Sequence, residues 1–228
     1  TYPSHTTKGC VPLSSDVTMR TYKTLGGALA AILSLILTQL IAQGAADLLA
    51  MIKLPAGVCN IIAGILYAGL AYAALRLLSE KVLHEHPAAL GMPKLHIQPR
   101  WAITAVLLPL AVTGCYLLLF RGTFVRADMR GDEMFSTLSA GIAFTGIAAG
   151  FVEEMVFRGV ILNLFAQRWN KAVAVIVPSL LFGIVHILGA DFTFGSCLLV
   201  ILTGTMVGVM FSLIALQSGS VWNSGIVH

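Results

Sequence analysis

Two adjacent glutamates and an arginine lie inside an otherwise apolar stretch, FVEEMVFRG at 151–159. A charged side chain in the hydrocarbon of a membrane is costly, so such residues usually have a function. Glu154 and Arg158 are four residues apart with the acid first, the favourable order on a helix, and are predicted to form a structural ion pair. Glu153 points about 100° away from Glu154 and has no partner in its own helix. It is therefore the candidate for chemistry.

His186 is the next ionisable residue inside an apolar stretch. The short basic turn QRWNK, centred near Trp169 and Asn170, separates it from the glutamates. Glu153 lies sixteen to seventeen residues before that centre, and His186 lies the same number after it. In an antiparallel helical hairpin both side chains would lie about 25 Å from the turn, at a rise of about 1.5 Å per residue. A glutamate and a histidine at one depth can activate a water molecule.

His228 is the third candidate, after the stretch SVWNSGIV. It follows the turn at 218–220 by only eight residues, or roughly 12 Å at helical rise. For His228 to meet Glu153 and His186, that turn must be recessed into the membrane.

The composition indicates a membrane protein, because the chain is 57% hydrophobic and only 11% charged. A soluble domain usually carries about 25% charged residues. A membrane-spanning helix needs about 20 apolar residues. Runs of about this length or longer occupy 25–46, 54–75, 101–120, 134–166, 172–189 and 192–216. We predict an all-α polytopic transmembrane helix bundle of about seven segments, the last beginning after 218–220 and truncated.

The same pattern divides the chain into three parts. A polar N-terminal segment covers 1–24, N-terminal transmembrane helices and loops cover 25–133, and the part that carries the candidate residues covers 134–228. Gly204 and Gly208 form a GxxxG motif, which permits close contact between helices.

Lysine and arginine counts favour an N-terminus in the cytoplasm, because cytoplasmic loops carry the excess of these residues. With that orientation nine lie inside and four outside. The inner ones are Lys8, Arg20, Lys23, Arg76, Lys81, Lys94, Arg100, Arg168 and Lys171, and the outer ones are Lys53, Arg121, Arg126 and Arg130. The net charge of +4 therefore marks loops and does not predict a nucleic-acid partner. In a bacterium the membrane would be the plasma membrane.

The remaining reactive residues predict no second site. The four cysteines, of which Cys10 is the first, show neither disulfide nor zinc-finger spacing. His84, His86 and His96 lie in a polar stretch, and the spacing of the first two does not put them on one helical face. We expect a solvated loop there.

Three motifs in order resemble the CAAX-protease and bacteriocin-processing family of intramembrane peptidases. They are EExxxR (Glu153, Glu154, Arg158), FxxxH (Phe182, His186) and a late histidine, His228, after a WN-containing stretch. The resemblance covers about residues 135–228. It implies an integral membrane endopeptidase that cleaves a lipidated or hydrophobic membrane-associated substrate.

The resemblance also implies roles for the residues. Glu153 would be the general base, His186 would help to hold the water, and His228 would stabilise the oxyanion. Glu154 and Arg158 would brace the helix. The family has an Asn or Asp four residues after the late histidine, and this position lies beyond His228.

Metal dependence and a noncatalytic role stay open at this point. Glu153, His186 and His228 are zinc ligands by type, and three protein ligands plus water is a catalytic zinc pattern. However, the chain has no HExxH motif. The alternatives are a bacteriocin immunity protein or scaffold, which would not need an intact Glu153, and a proton-coupled transporter that uses Glu153 and His186 as a relay.

Overall fold

The computed structural model describes residues 13–121, 128–189 and 191–228. Lys8, Cys10 and Arg126, which the sequence analysis named, lie outside the described residues. Every regular element within these ranges is helical, which confirms the all-α prediction. We number the helices α1 (Leu13–Met51), α2 (Ala56–Leu77), α3 (Pro99–Phe120), α4 (Gly131–Arg168), α5 (Lys171–Val185), α6 (Phe194–Ser218) and α7 (Val221–Val227).

Five of these helices are long and apolar enough to cross a membrane, namely α1, α2, α3, α4 and α6. Their outward faces carry many exposed large apolar side chains, such as Leu33, Leu107 and Leu202. A water-soluble protein rarely exposes such continuous apolar surface. The polytopic membrane bundle predicted from the sequence is thus confirmed.

The other two helices are short. α5 has 15 residues and ends at Val185, and a tighter 3₁₀ turn, His186–Gly189, follows it. The single apolar run predicted for 172–189 is therefore a short helix followed by a turn, with His186 at the junction. α7 has seven residues and ends immediately before His228.

Helix α4 changes its winding on both sides of the two glutamates. It has wide, π-type turns over Ser139–Ala149 and Met155–Ile161, with a regular α-helical segment, Gly150–Glu154, between them. Wide turns of this kind are rare and occur frequently at functional sites. They rotate the flanking parts of α4 relative to the segment that carries the glutamates.

The segment between α2 and α3 folds back into the bundle. Leu90 and Met92 are buried, and the carbonyl of Gly91 accepts a hydrogen bond from the backbone N–H of Val221 at 2.9 Å. A Cβ added to Gly159 would lie 3.1 Å from the carbonyl oxygen of Leu90. The solvated loop expected here is therefore only partly correct, because the histidines are exposed but the middle of the segment packs in the core.

The segment between α2 and α3 that contains Leu90 and Met92, called the re-entrant segment below, explains how the turn at 218–220 is recessed. Val221 begins α7 at the level of Gly159, since a Cβ added to that glycine would lie 3.6 Å from the Val221 side chain. Gly159 precedes the end of α4 at Arg168 by nine residues, or roughly 14 Å at helical rise. His228 consequently starts from a point already deep in the bundle.

Helices α5 and α6 approach each other through glycine. A Cβ added to Gly204 would lie 2.8 Å from the Cα of Gly183, and one added to Gly208 would lie 2.9 Å from the Cα of Ser179. The GxxxG motif thus faces α5 and brings the two backbones into contact. The end of α5 that carries His186 is held against α6 in this way.

We predict that Gly204→Ala lowers the free energy of unfolding by about 1–3 kcal/mol, because the added methyl group meets backbone rather than a side chain that can move. The measurement is the thermal unfolding midpoint in detergent. Gly69→Ala in α2 is the control, because nothing lies within 4 Å of the added Cβ and alanine is the better helix former. Equal midpoints for the two variants would contradict the close packing of α5 on α6.

Candidate active site

The structure brings Glu153, His186 and His228 together from three different elements. Nε2 of His186 lies 3.9 Å from Oε2 of Glu153, and Nε2 of His228 lies 3.8 Å from the same oxygen. Glu153 comes from the middle of α4, His186 from the end of α5 and His228 from the end of α7. One carboxylate oxygen therefore faces two imidazole nitrogens.

Hydrogen bonds on the other side of each ring set the orientation of the histidines. Nδ1 of His186 lies 2.7 Å from the carbonyl oxygen of Phe182. A carbonyl oxygen can only accept, so this Nδ1 carries the proton and Nε2 is free to accept. Nδ1 of His228 lies 3.0 Å from Oε1 of Glu154. Both rings consequently turn Nε2 towards Glu153.

Glu154 and Arg158 form a fully buried ion pair. Nη1 of Arg158 donates to Oε1 of Glu154 at 2.7 Å, and both side chains are 0% exposed. Nη2 of Arg158 also donates to the carbonyl of Gly208 in α6 at 3.1 Å. The guanidinium lies 4.4 Å from the ring centre of Phe182 in α5, within the range of a cation–π interaction. The ion pair therefore links α4 to both α5 and α6.

The ring of His228 fits between aromatic and glycine surfaces. It stacks on Phe211 with ring centres 4.5 Å apart and planes at 12°. On α4, a Cβ added to Gly150 would lie 3.5 Å from this ring. In α7, a Cβ added to Gly225 would lie 2.5 Å from the Phe151 ring, so that position has no space for a side chain. These contacts hold the end of α7 against α4.

The charged groups of the cluster do not balance. Glu153 and Glu154 bring two carboxylates, whereas Arg158 brings one guanidinium. An uncompensated charge in apolar surroundings is unfavourable unless polar groups lie close to it. The imidazoles of His186 and His228 supply such polar groups next to Glu153.

Two cavities open onto the group formed by Glu153, His186 and His228, and His186 lines both of them. One, of about 400 Å³, lies where α1, α4 and α5 meet and is lined by Ile32, Leu35, Ile36, Gln39, Glu153, Phe157, Val185, His186 and Gly189. The other, of about 280 Å³, lies where α5, α6 and α7 meet and is lined by Phe182, His186, Val200, Thr203, Gly204, Val207 and His228. Both linings are mainly apolar, which suits a hydrophobic ligand.

The three side chains do not fit a zinc ion where they stand. Tetrahedral zinc with bonds of about 2.0–2.2 Å needs its donor atoms roughly 3.3–3.5 Å apart, whereas the histidine nitrogens lie 3.9 and 3.8 Å from Glu153. Among the residues that the structure describes, no group of three or more His, Cys, Asp or Glu side chains is arranged to hold a metal ion.

Several residues of the site have no clear sequence signal. Phe211, Gly150 and Gly225 position His228, but aromatic residues and glycines are common in apolar helices. Gln39 borders the larger cavity, and the one feature that could have singled it out is a polar side chain within an apolar run.

The comparisons with known proteins identify the part of the chain that carries the cluster. Residues 135–228 match the family model described as type II CAAX prenyl endopeptidase Rce1-like. No curated protein and no solved structure matches the chain. The matched segment contains the two glutamates, Arg158 and both histidines, while α1, α2 and α3 lie outside it. This C-terminal segment is therefore similar to type II CAAX prenyl endopeptidases, in agreement with the resemblance that its three motifs indicated.

Proposed function

We propose that this protein is an intramembrane endopeptidase in which Glu153 activates a water molecule to attack a peptide bond. The observation that carries the proposal is the convergence of two imidazole nitrogens on Oε2 of Glu153, at 3.8 and 3.9 Å, in an apolar bundle. The match of residues 135–228 to the model of type II CAAX prenyl endopeptidases supports a protease of this type.

The separations around Glu153 suit a bridging water. Polar atoms more than about 3.5 Å apart are often joined by one. A water that donates one hydrogen to Oε2 of Glu153 and the other to Nε2 of His186 turns a lone pair towards the scissile carbonyl. As the new C–O bond forms, Glu153 takes the proton from the water. It later gives that proton to the leaving amide nitrogen as the C–N bond breaks.

The proposed role of His228 is to stabilise the oxyanion that forms when water attacks the scissile carbonyl. To stabilise the oxyanion it must donate from Nε2, which requires a proton on both ring nitrogens. The Glu154 carboxylate lies 3.0 Å from Nδ1 of this ring, where it can accept the proton of that nitrogen. A single preorganised donor to an oxyanion is worth roughly a hundredfold or more in rate.

The surroundings support a hydrophobic substrate held in the membrane. We infer that residues 134–228 form the peptidase core and that the two apolar cavities take the chain on either side of the scissile bond. The substrate class is a lipidated protein C-terminus or a hydrophobic peptide segment. The lysine and arginine distribution supports an N-terminus in the cytoplasm.

We predict that Glu153→Gln lowers the cleavage rate by about 10²–10⁴-fold, because an amide cannot accept the proton from water. The measurement is turnover of a panel of fluorogenic membrane-anchored peptides, prenylated and unprenylated, by the purified protein in detergent. Glu80→Gln is the control, since Glu80 is partly exposed and pairs with Arg76 far from the cluster along the chain. The thermal unfolding midpoint of both variants should stay close to that of the wild type.

Full activity of Glu153→Gln would overturn the assignment of the base. If the wild type cleaves no member of the panel, and Glu153→Gln still confers the cellular phenotype of the wild type, the noncatalytic reading is correct instead.

Substitution of the neighbouring glutamate, Glu154, is expected to lower the stability of the folded protein. Glu154→Gln should cost roughly 3–5 kcal/mol of stability, because it leaves the buried guanidinium of Arg158 without its anion. The measurement is the thermal unfolding midpoint and the yield of folded protein in detergent. The double variant Glu154→Leu with Arg158→Met removes both charges and should be more stable than Glu154→Gln. A double variant that is less stable than the single one would contradict the structural role of the pair.

A further inference from the structure

One face of α1 forms the wall of the larger cavity opposite the reactive cluster. Its four lining residues are Ile32, Leu35, Ile36 and Gln39, which follow each other at the spacing of a single helical face. Glu153 and His186 line the same cavity from α4 and from the end of α5. Three of the four residues from α1 are apolar, and the fourth is a primary amide.

Gln39 is an exposed residue on the wall of this cavity. The hydroxyl groups of Ser34 and Thr38 donate to carbonyls of their own helix, to Ala30 at 2.8 Å and to Ser34 at 2.7 Å. The amide of Gln43 donates to Asp47 at 3.2 Å. Within the described residues, the Gln39 side chain makes no hydrogen bond. Its amide donor and acceptor groups are therefore accessible to a ligand in the cavity, and in the otherwise apolar surroundings of a membrane an amide is more favourable when it is hydrogen-bonded.

We propose that Gln39 binds the main chain of the peptide substrate next to the scissile bond. Its side chain has one carbonyl and one NH₂ group, so it can accept from a peptide N–H and donate to a peptide C=O at the same time. Ile32, Leu35 and Ile36 would contact the apolar side chains of the same segment. This inference rests on the proposed peptidase function and adds a binding residue from outside the segment that matches the family.

The chemistry of this contact defines which substrates fit. In a helix the main-chain N–H and C=O groups already bond to each other, so they are not available to Gln39. An extended segment presents free main-chain groups and binds through them. The substrate is therefore an apolar segment that is unwound at the bond to be cleaved.

The test measures binding rather than cleavage, so that it does not depend on turnover. The parent protein carries Glu153→Gln, and the probe is a dansyl-labelled apolar octapeptide titrated in detergent by fluorescence anisotropy. Gln39→Leu on this parent should weaken binding about tenfold, the effect of one or two lost hydrogen bonds. Gln43→Leu is the control, since Gln43 lies one turn further on α1 and pairs with Asp47. Both variants should keep the thermal unfolding midpoint of the parent.

A second series identifies the contact itself. Methylation of the peptide nitrogens, one at a time, should weaken binding to the parent strongly at one position and have no further effect at that position in Gln39→Leu. Four outcomes would each overturn the proposal. The first two are that Gln39→Leu binds the octapeptide as tightly as the parent, or that Gln43→Leu loses as much affinity as Gln39→Leu. The other two are that the parent and Gln39→Leu show the same methylation profile, or that the parent does not bind the octapeptide. Failure of the wild type to hydrolyse peptides, with the binding pattern intact, would overturn the peptidase function alone and leave Gln39 as a peptide-binding residue.

Discussion

The buried ion pair of Glu154 and Arg158 is the interaction on which the rest of the site depends. Two charges that are fully removed from water are tolerated only when each finds a partner with good geometry. Arg158 meets this need with Glu154, with a carbonyl of α6 and with the ring of Phe182. Glu154 in turn accepts the Nδ1–H of His228. A single carboxylate oxygen therefore joins the pair that holds the helices together to one of the proposed catalytic residues.

This arrangement separates the two glutamates by function although they are adjacent in sequence. Glu154 faces inwards, is fully buried and is bonded to Arg158 and His228. Glu153 lines the larger cavity, with 21% of its side chain exposed, and its nearest polar groups are at distances that suit a water. Neighbouring residues on a helix diverge by about 100°, and this difference in direction accounts for the difference in surroundings.

Close contacts between helix backbones allow the short helices α5 and α7 to place His186 and His228 at the depth of Glu153. Gly204 and Gly208 bring α6 against α5, and Gly225 lets α7 lie against the ring of Phe151. The re-entrant segment that contains Leu90 packs against the start of α7, so that the turn before α7 lies inside the bundle. Without these contacts the seven residues of α7 would leave His228 too shallow to meet the other two side chains.

The sequence by itself determined the features that depend on local spacing. The apolar runs predicted a helical membrane protein, the four-residue interval predicted the pair of Glu154 and Arg158, and equal distances from a turn predicted that Glu153 and His186 share a depth. These follow from the constant rise and rotation of a helix. Only the tertiary structure decided that α5 ends at His186, that the segment around Leu90 enters the core, that His228 bonds to Glu154 and that Gln39 faces the same cavity as Glu153. Such features depend on which backbones approach each other over long sequence distances, and helical periodicity holds no information about that.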